Sequence, residues 1–190
     1  MAFLKQSDLQ ALGLKKIGKN VKISEKASIY NPDSIEVGDN SRIDDFSVLS
    51  GNIYIGSFCH ITPMCLIAGG VPGITLCDFT TLAYGVKIFS QSDDYSGQTM
   101  TNSTVPKKFK AETFKSVTLG RHVIIGAGSI IMPGVSIAEG CSVGAMSLIN
   151  QSTLPWGIYV GVPGRRLKDR GKNILKLEKI LLEEYHTGYK

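Results

Sequence analysis

Aliphatic side chains recur along this chain at every sixth residue. A first run, Ile17, Ile23, Ile29 and Ile35, gives way after a two-residue slip to Val37, Ile43, Leu49, Ile55, Ile61 and Ile67. A second slip leads to Leu76, Leu82 and Ile88, and after an interruption the period returns as Leu119, Ile125, Ile131, Ile137, Val143 and Ile149. Two residues ahead of these aliphatics sit small or β-branched residues, among them Val21, Ala27, Ser41, Ser47, Cys59, Val123, Ser129, Val135, Cys141 and Ser147. A helix would need apolar positions three and four apart, and a sandwich would need a two-residue alternation broken by hairpin turns. The six-residue period predicts instead an all-β chain wound as a parallel β-helix. Three hexapeptides close one triangular coil, coils stack about 4.8 Å apart, and one aliphatic per face fills the interior.

The flanks carry different periods. Ser7 to Gly13 reads as a short capped helix ending at a glycine, placed to plug the open end of the coils. Asn173 to Tyr185 sets Ile174, Leu175, Leu177, Ile180 and Leu181 at helical spacing against Lys176, Glu178, Lys179 and Glu183. That pattern predicts a second helix packed back on the coils or on a neighbouring subunit. Both ends of a solenoid expose strand edges, so both helices are expected to act as caps. Between residues 94 and 116 the rhythm is lost and the segment is polar and aromatic, which predicts a loop inserted at a coil corner, where solenoids carry binding faces. The expected organisation is one domain over residues 1–190: a cap helix in 1–16, a β-helix over 17–154 with the inserted loop 94–116, and a C-terminal segment and helix over 155–190.

Composition narrows the classes. With 43% hydrophobic and 19% charged residues and no apolar run of membrane-spanning length, a transmembrane helix is excluded. The N-terminal residues lack the pattern of a secretory signal, so a cytoplasmic location is expected. Cys59, Cys65, Cys77 and Cys141 have no C-x-x-C pairing, which favours buried thiols over zinc or redox chemistry. The formal net charge is +5, but the basic residues are scattered except near the C-terminal end, favouring an anionic small molecule over nucleic acid. The three histidines, His60, His122 and His186, are not spaced like the zinc ligands of a γ-type carbonic anhydrase, and no metal is expected.

Function-capable groups concentrate at the loop entry, Ser90-Gln91-Ser92-Asp93-Asp94-Tyr95. Paired carboxylates beside an aromatic can bind hydroxyls, accept a proton or simply face water. The hexapeptide pattern over residues 17–154 resembles the left-handed β-helix acyltransferase superfamily, whose coil departs from the usual right-handed crossover. More closely, Ala27-Ser28-Ile29-Tyr30-Asn31-Pro32, Arg42-Ile43-Asp44-Asp45-Phe46, Leu49-Ser50-Gly51, His60-Ile61, Gly69-Gly70, Asp78-Phe79 and Asp93-Asp94-Tyr95-Ser96-Gly97 resemble N-acyltransferases acting on dTDP-4-amino-4,6-dideoxyglucose in surface-sugar pathways. The resemblance implies a homotrimer with active sites between subunits, and transfer of an acyl group from coenzyme A to a sugar amine approached by Asp93. Ala83 stands at or beside a serine of the acyl-binding region in the anthrose-pathway member, which favours acetyl-coenzyme A over a hydroxybutyryl donor.

The acceptor's remaining parts are assigned to Asp94 and Tyr84, to Tyr30 or Asn31 for the base, to Arg42 for the diphosphate, and to Asp44 and His60 nearby. An alcohol acceptor needs a good general base, usually histidine, and the loop entry has none, which favours N-acylation. His122, following the loop and returning to the level of Asp93, is the reserve proton acceptor and would be the base of a rival sugar O-acetyltransferase. A non-catalytic β-helix scaffold is the remaining alternative. Pantetheine is expected near Gly126, Gly144 and Ala145, with backbone N–H groups at coil corners receiving the oxyanion. The segment Gly161-Val162-Pro163-Gly164-Arg165-Arg166-Leu167-Lys168 resembles the superfamily's C-terminal signature, which implies Arg165, Arg166 and Lys168 at the cofactor phosphates. Trp156 is expected to close the last coil.

Overall fold

The computed structural model describes residues 2–187, the last two as backbone alone. Short parallel strands wind into a three-faced prism. The first face holds Lys16–Ile17, Ile35–Val37, Val117–Leu119 and Ser136–Ile137. The second face is an eight-stranded sheet from Lys22–Ile23 to Gly164–Asp169, and the third includes Ser28–Tyr30, Lys87–Phe89, Ile130–Ile131 and Leu148–Ile149. Two longer strands, Val48–Ile55 and Leu66–Leu76, run from the third face into the first and join those faces in one ten-stranded sheet.

Register converts the six-residue rhythm into vertical columns. On the second face Ile43 lies beside Ile61, Ile61 beside Leu82, Leu82 beside Ile125 and Ile125 beside Val143. Side chains in these columns are almost wholly removed from water, and burial stabilises by roughly 1.5–3 kcal/mol per aliphatic. Ile17 and Ile29, in the first coil, are only half-buried because one side of that coil has no neighbour. The small inward residues satisfy the corners. Ser41 Oγ donates to the Gly56 carbonyl at 2.7 Å and accepts from the Cys59 N–H at 3.0 Å, and Ser129 bridges Gly144 and Ser147 in the same way.

The three corners differ in what they can hold. At the first corner, between the first and second faces, Asn20, Asn40, Phe58, Phe79, His122, Gly140 and Trp156 all have positive φ. At the second corner the same backbone position is taken by Phe46, Met64, Gly85, Gly128 and Met146. At the third corner the long strands bend without breaking, at Gly51 and Gly70, and their register shifts there. A Cβ on Gly51 would sit 2.4 Å from the Gly70 nitrogen, so glycine is required where the two bends stack.

The ends depart from expectation in three respects. The first helix, α1 (Gln6–Ala11), begins before Ser7, and its N-cap Lys5 makes no side-chain capping bond. It still covers the first coil through the buried Leu9, and Gly13 follows with φ +71°. The far end is closed by an antiparallel hairpin, Gly157–Gly161 with Gly164–Asp169, whose Arg165, Arg166 and Lys168 keep its outer edge charged. The second helix, α2 (Ile174–Thr187), does not cap that end but turns back along the first corner. The turn is held by Arg170, which donates to the carbonyls of His122, Gly140 and Cys141 at 2.7, 3.0 and 3.2 Å. The inserted loop is narrower than 94–116: Gln91–Ser92 pairs antiparallel with Thr113–Phe114, so the excursion is 93–112 and the period resumes at Val117.

Candidate functional site

The loop leaves the prism at the third corner, and its two leading carboxylates serve different ends. Asp94 Oδ1 accepts from the Ser96 N–H at 2.9 Å, and Oδ2 accepts from the hydroxyls of Ser96 and Thr99, each at 2.9 Å. These bonds, the Ser96 N–H foremost, hold the Asp94 carboxyl below its ordinary value. The Asp93 carboxylate has no partner among the described residues and is partly exposed. Asp94, expected at the substrate, therefore organises the loop, while Asp93 presents free oxygens. The Asp-x-Ser spacing is an Asx-turn signal that could have separated the two from sequence.

Beside the loop entry lies a groove of about 410 Å³, lined by Asn31, Ser50, Gly51, Asn52, Gly70 and Gln91 among others. Its floor is the glycine bend, where coils approach too closely for any side chain. Gln91 Nε2 donates to Glu112 Oε1 at 2.9 Å, and Lys110 Nζ pairs with Glu112 Oε2 at 3.2 Å. Both charged side chains of that pair are largely covered, at 6% and 11% exposure. Gln91 stands in the loop entry singled out from sequence, but its contact with Glu112 carries no sequence signal, because it depends on how the loop zips shut.

At the second corner the structure places Tyr84, exposed, with Ala83 next to it, and below them Gly126, Gly144 and Ala145. A Cβ on Gly126 would meet the Ala145 nitrogen at 2.4 Å and one on Gly144 would meet Val160 Cγ1 at 2.8 Å. Close stacking of coils explains both glycines. Arg42, Asp44 and His60 form one cluster on the second face: Arg42 Nε donates to Asp44 Oδ1 at 2.6 Å, and His60 Nε2 lies 2.9 Å from Asp44 Oδ2. Asp44 is 2% exposed with both oxygens engaged, so it holds Arg42 and His60 together. Tyr30 is exposed at the end of the third face, next to Asn31 with φ +57°.

His122 is on a different corner from Asp93. It follows the loop in the chain, yet it sits at the first corner with its ring stacked on Phe79 at 5.0 Å and its Nε2 2.7 Å from Glu178 Oε2. Glu178 also pairs with Arg121, so α2 is latched to the prism through this imidazole. The strand after His122, Ile124–Ile125, pairs with Thr81–Leu82, while His122 itself is at the first corner and Asp93 follows the third face. In the C-terminal hairpin, Arg166 Nη2 is bound to Asp169 Oδ1 at 2.8 Å and its Nη1 lies 3.3 Å from the Tyr159 hydroxyl, whereas Arg165 and Lys168 are exposed. Trp156 packs across Gly140 at the last coil. Among the described residues no His, Cys, Asp or Glu cluster could hold a metal ion, and no helix is long and apolar enough to cross a membrane.

The chain matches the family Bacterial transferase hexapeptide (six repeats) over residues 116–151. It is 39% identical over 183 residues, 95% of each chain, to dTDP-4-amino-4,6-dideoxy-D-glucose acyltransferase of Escherichia coli. Among solved structures it is similar to AntD, an N-acyltransferase from Bacillus cereus, in complex with dTDP and 3-hydroxybutyryl-CoA. There the TM-score is 0.96 and the identity 44%, covering 97% of this chain and 98% of that one. A serine-to-alanine variant of AntD, in complex with dTDP-4-amino-4,6-dideoxyglucose and coenzyme A, gives a TM-score of 0.95 at 45% identity, covering 96% and 98%.

Proposed function

The chain belongs to the hexapeptide-repeat dTDP-4-amino-4,6-dideoxyglucose acyltransferases, and from that premise we propose that it moves an acetyl group from acetyl-coenzyme A onto the amine of a dTDP-linked amino-dideoxy sugar. It is an acyl-CoA-dependent acyltransferase, and Asp93 is its general base. The observation that carries this assignment is the division of labour at the loop entry, where Asp94 is consumed by the loop and the Asp93 carboxylate has no partner among the described residues.

A sugar ammonium becomes a nucleophile once it sheds a proton, and a carboxylate within hydrogen-bond reach both orients the amine and accepts that proton. The amine nitrogen then bonds to the thioester carbonyl carbon, and the oxyanion is stabilised by backbone N–H donors. Collapse breaks the carbon–sulfur bond, the thiolate leaves with a proton, and the amide is formed. His122 loses its claim to the proton because Glu178 and Phe79 hold its ring at another corner.

The third corner carries Asp93 and the groove, while the second carries Ala83, Tyr84 and Ala145, one prism face away. The reading is that a second subunit supplies the missing side, in a homotrimer whose seams hold coenzyme A with Arg165 and Lys168 near its phosphates. Met64 and Met146 support this: both are in the left-handed region, which costs a non-glycine residue about 1–2 kcal/mol, and both are exposed in the single chain. Nucleotide sugars and acetyl-coenzyme A meet in the cytoplasm, and the product fits surface-polysaccharide synthesis.

Matched 4-amino and 4-hydroxy dTDP sugars, offered with acetyl- and 3-hydroxybutyryl-coenzyme A, test the proposal. Turnover is expected with the amine and the acetyl donor. Acylation of the hydroxy sugar alone, or no saturation by either donor, would overturn it.

A further inference from the structure

Gln91 lies two residues before Asp93 and is not part of the proton transfer, yet its side-chain amide is held at the nitrogen end, which fixes the direction of the oxygen. Its Nε2 donates to Glu112 Oε1 at 2.9 Å. An ionised carboxylate only accepts, so a glutamine facing it must offer the NH2 group. Lys110 Nζ pairs with the other oxygen of Glu112 at 3.2 Å, so both carboxylate oxygens face donors. The opposite end, Oε1, then has a fixed direction. It lies 3.6 Å from the point where a Cβ of Gly70 would be, on the wall of the 410 Å³ groove that Gln91 and Gly70 both line. No described residue donates to it.

We infer that Gln91 is a specificity-determining residue of the acceptor site, presenting its carbonyl oxygen to a hydrogen-bond donor on the nucleotide amino sugar, with Glu112 and Lys110 as positioning residues. This rests on the reading that Asp93 marks the amine end of the site. The groove is large enough for a sugar ring, its floor is free of side chains, and Gln91 is the side chain that enters it from the strand leading to Asp93. The donor it accepts from is a sugar hydroxyl or the ammonium itself. An acceptor fixed in this way discriminates against an acceptor molecule that offers only an oxygen lone pair there, because two acceptors face each other without a proton between them.

Steady-state kinetics of Gln91→Met and Glu112→Gln, with each substrate varied in turn, test the inference. Gln91 is exposed, so the nearly isosteric methionine empties no core. Gln91→Met is expected to raise KM for the dTDP-amino sugar about tenfold, while KM for acetyl-coenzyme A stays within a factor of two. Glu112→Gln is expected to give a smaller rise in the same KM, because its own amide can accept or donate and the Gln91 amide is free to turn over. A merely structural role would lower the melting temperature and disturb both KM values together. The inference is overturned if the sugar KM of Gln91→Met matches wild type, or if KM for acetyl-coenzyme A rises in parallel. Wild-type turnover in the same experiment separates the two readings. If the wild-type enzyme does not acylate the amino sugar, the proposed function fails; if it does and Gln91→Met is silent, only the role of Gln91 fails.

Discussion

Asp93 and Asp94 are consecutive in the chain and opposite in use: the second spends both oxygens on Ser96 and Thr99, and the first has neither carboxylate oxygen bonded among the described residues. A general base must keep an open lone pair for the arriving ammonium, so only one of the pair qualifies. Asp93→Asn is therefore expected to lower kcat by roughly one to three orders of magnitude, the range of lost general-base help, with the melting temperature unchanged. Stopped or continuous thiol-release assays measure it directly. A variant with near-normal kcat would move the proton to the substrate's own groups.

Asp94 makes a different forecast, in pH. Its folded pKa lies below the ordinary 3.8 because the charged form receives the Ser96 N–H and two hydroxyls. A depressed carboxyl stabilises the ordered loop at every pH above its unfolded value, and that help disappears only as pH falls through the lower, folded value. The loop should thus resist proteolysis from neutral pH down past 4 and loosen only in stronger acid. Asp94→Asn should loosen it already at neutral pH and raise KM for the sugar. Identical cleavage of the two proteins at pH 7 would remove Asp94 from the loop's support.

The six-residue rhythm made the prism legible, since Ile43, Ile61, Leu82, Ile125 and Val143 stack as their spacing requires. Trp156, expected to close the last coil, lies across Gly140 there. The path of α2 was not legible, because amphipathicity states which residues seek cover and not where it lies. Glu178 finds His122 across 56 positions of sequence, and no local pattern encodes that. The site was half legible: the loop entry stood out, but which corner each residue occupies depends on counting faces, and the first-face strand Val117–Leu119 carries the chain past the corner of Asp93 before His122 is reached. The burial of Asp44 was not legible, because the stacked coils bring His60 onto it from 16 positions along the chain.

The His122–Glu178 contact predicts a structural and not a catalytic phenotype. His122 is buried, and Glu178 serves both it and Arg121, so Glu178→Ala should destabilise the docked helix by about 1–3 kcal/mol, the range for buried polar groups left unpaired. Hydrogen exchange should quicken across α2 and not across the coils. His122→Asn removes the imidazole while keeping a residue that tolerates its φ of +60°, and kcat should remain near wild type. A large loss of kcat in that variant, with α2 still protected, would restore His122 as the base.

The thiols give a test of the core that needs no mutation. Burial pushes the Cys59 thiol up to about 12 and raises Cys65 and Cys77 as well. Reaction with an aromatic disulfide requires an accessible thiolate, so at pH 8 the native protein should react slowly at Cys77, which is partly exposed, and hardly at all at Cys59 or Cys65, while burial alone keeps the reagent from Cys141. All four should react at once in denaturant. Rapid modification of Cys59 in the native state would mean that the coils open far more readily than their packing implies.

Met64 and Met146 bear on assembly. They occupy the same backbone position on two coils of the second corner, with φ of +65° and +55°, and they are 64% and 73% exposed. Glycine takes that position at Gly85, where a Cβ would meet nothing within 4 Å, and at Gly128, where a Cβ would meet Met146 Sδ at 2.5 Å. A methionine there strains the backbone by about 1–2 kcal/mol and gains little in an isolated chain. Burying it under a neighbouring subunit reverses the balance, at roughly 1.5–3 kcal/mol for each side chain covered. Asparagine accepts the same conformation without the apolar surface, so Met64→Asn with Met146→Asn should leave the melting temperature of the separated chain unchanged or higher. The same pair should weaken association on the order of a hundredfold at each seam. Sedimentation equilibrium over a dilution series measures this, with the wild type expected as a trimer throughout. A doubly substituted protein that stays trimeric at every concentration would show that the second corner faces water, and the seam would have to be sought on another face.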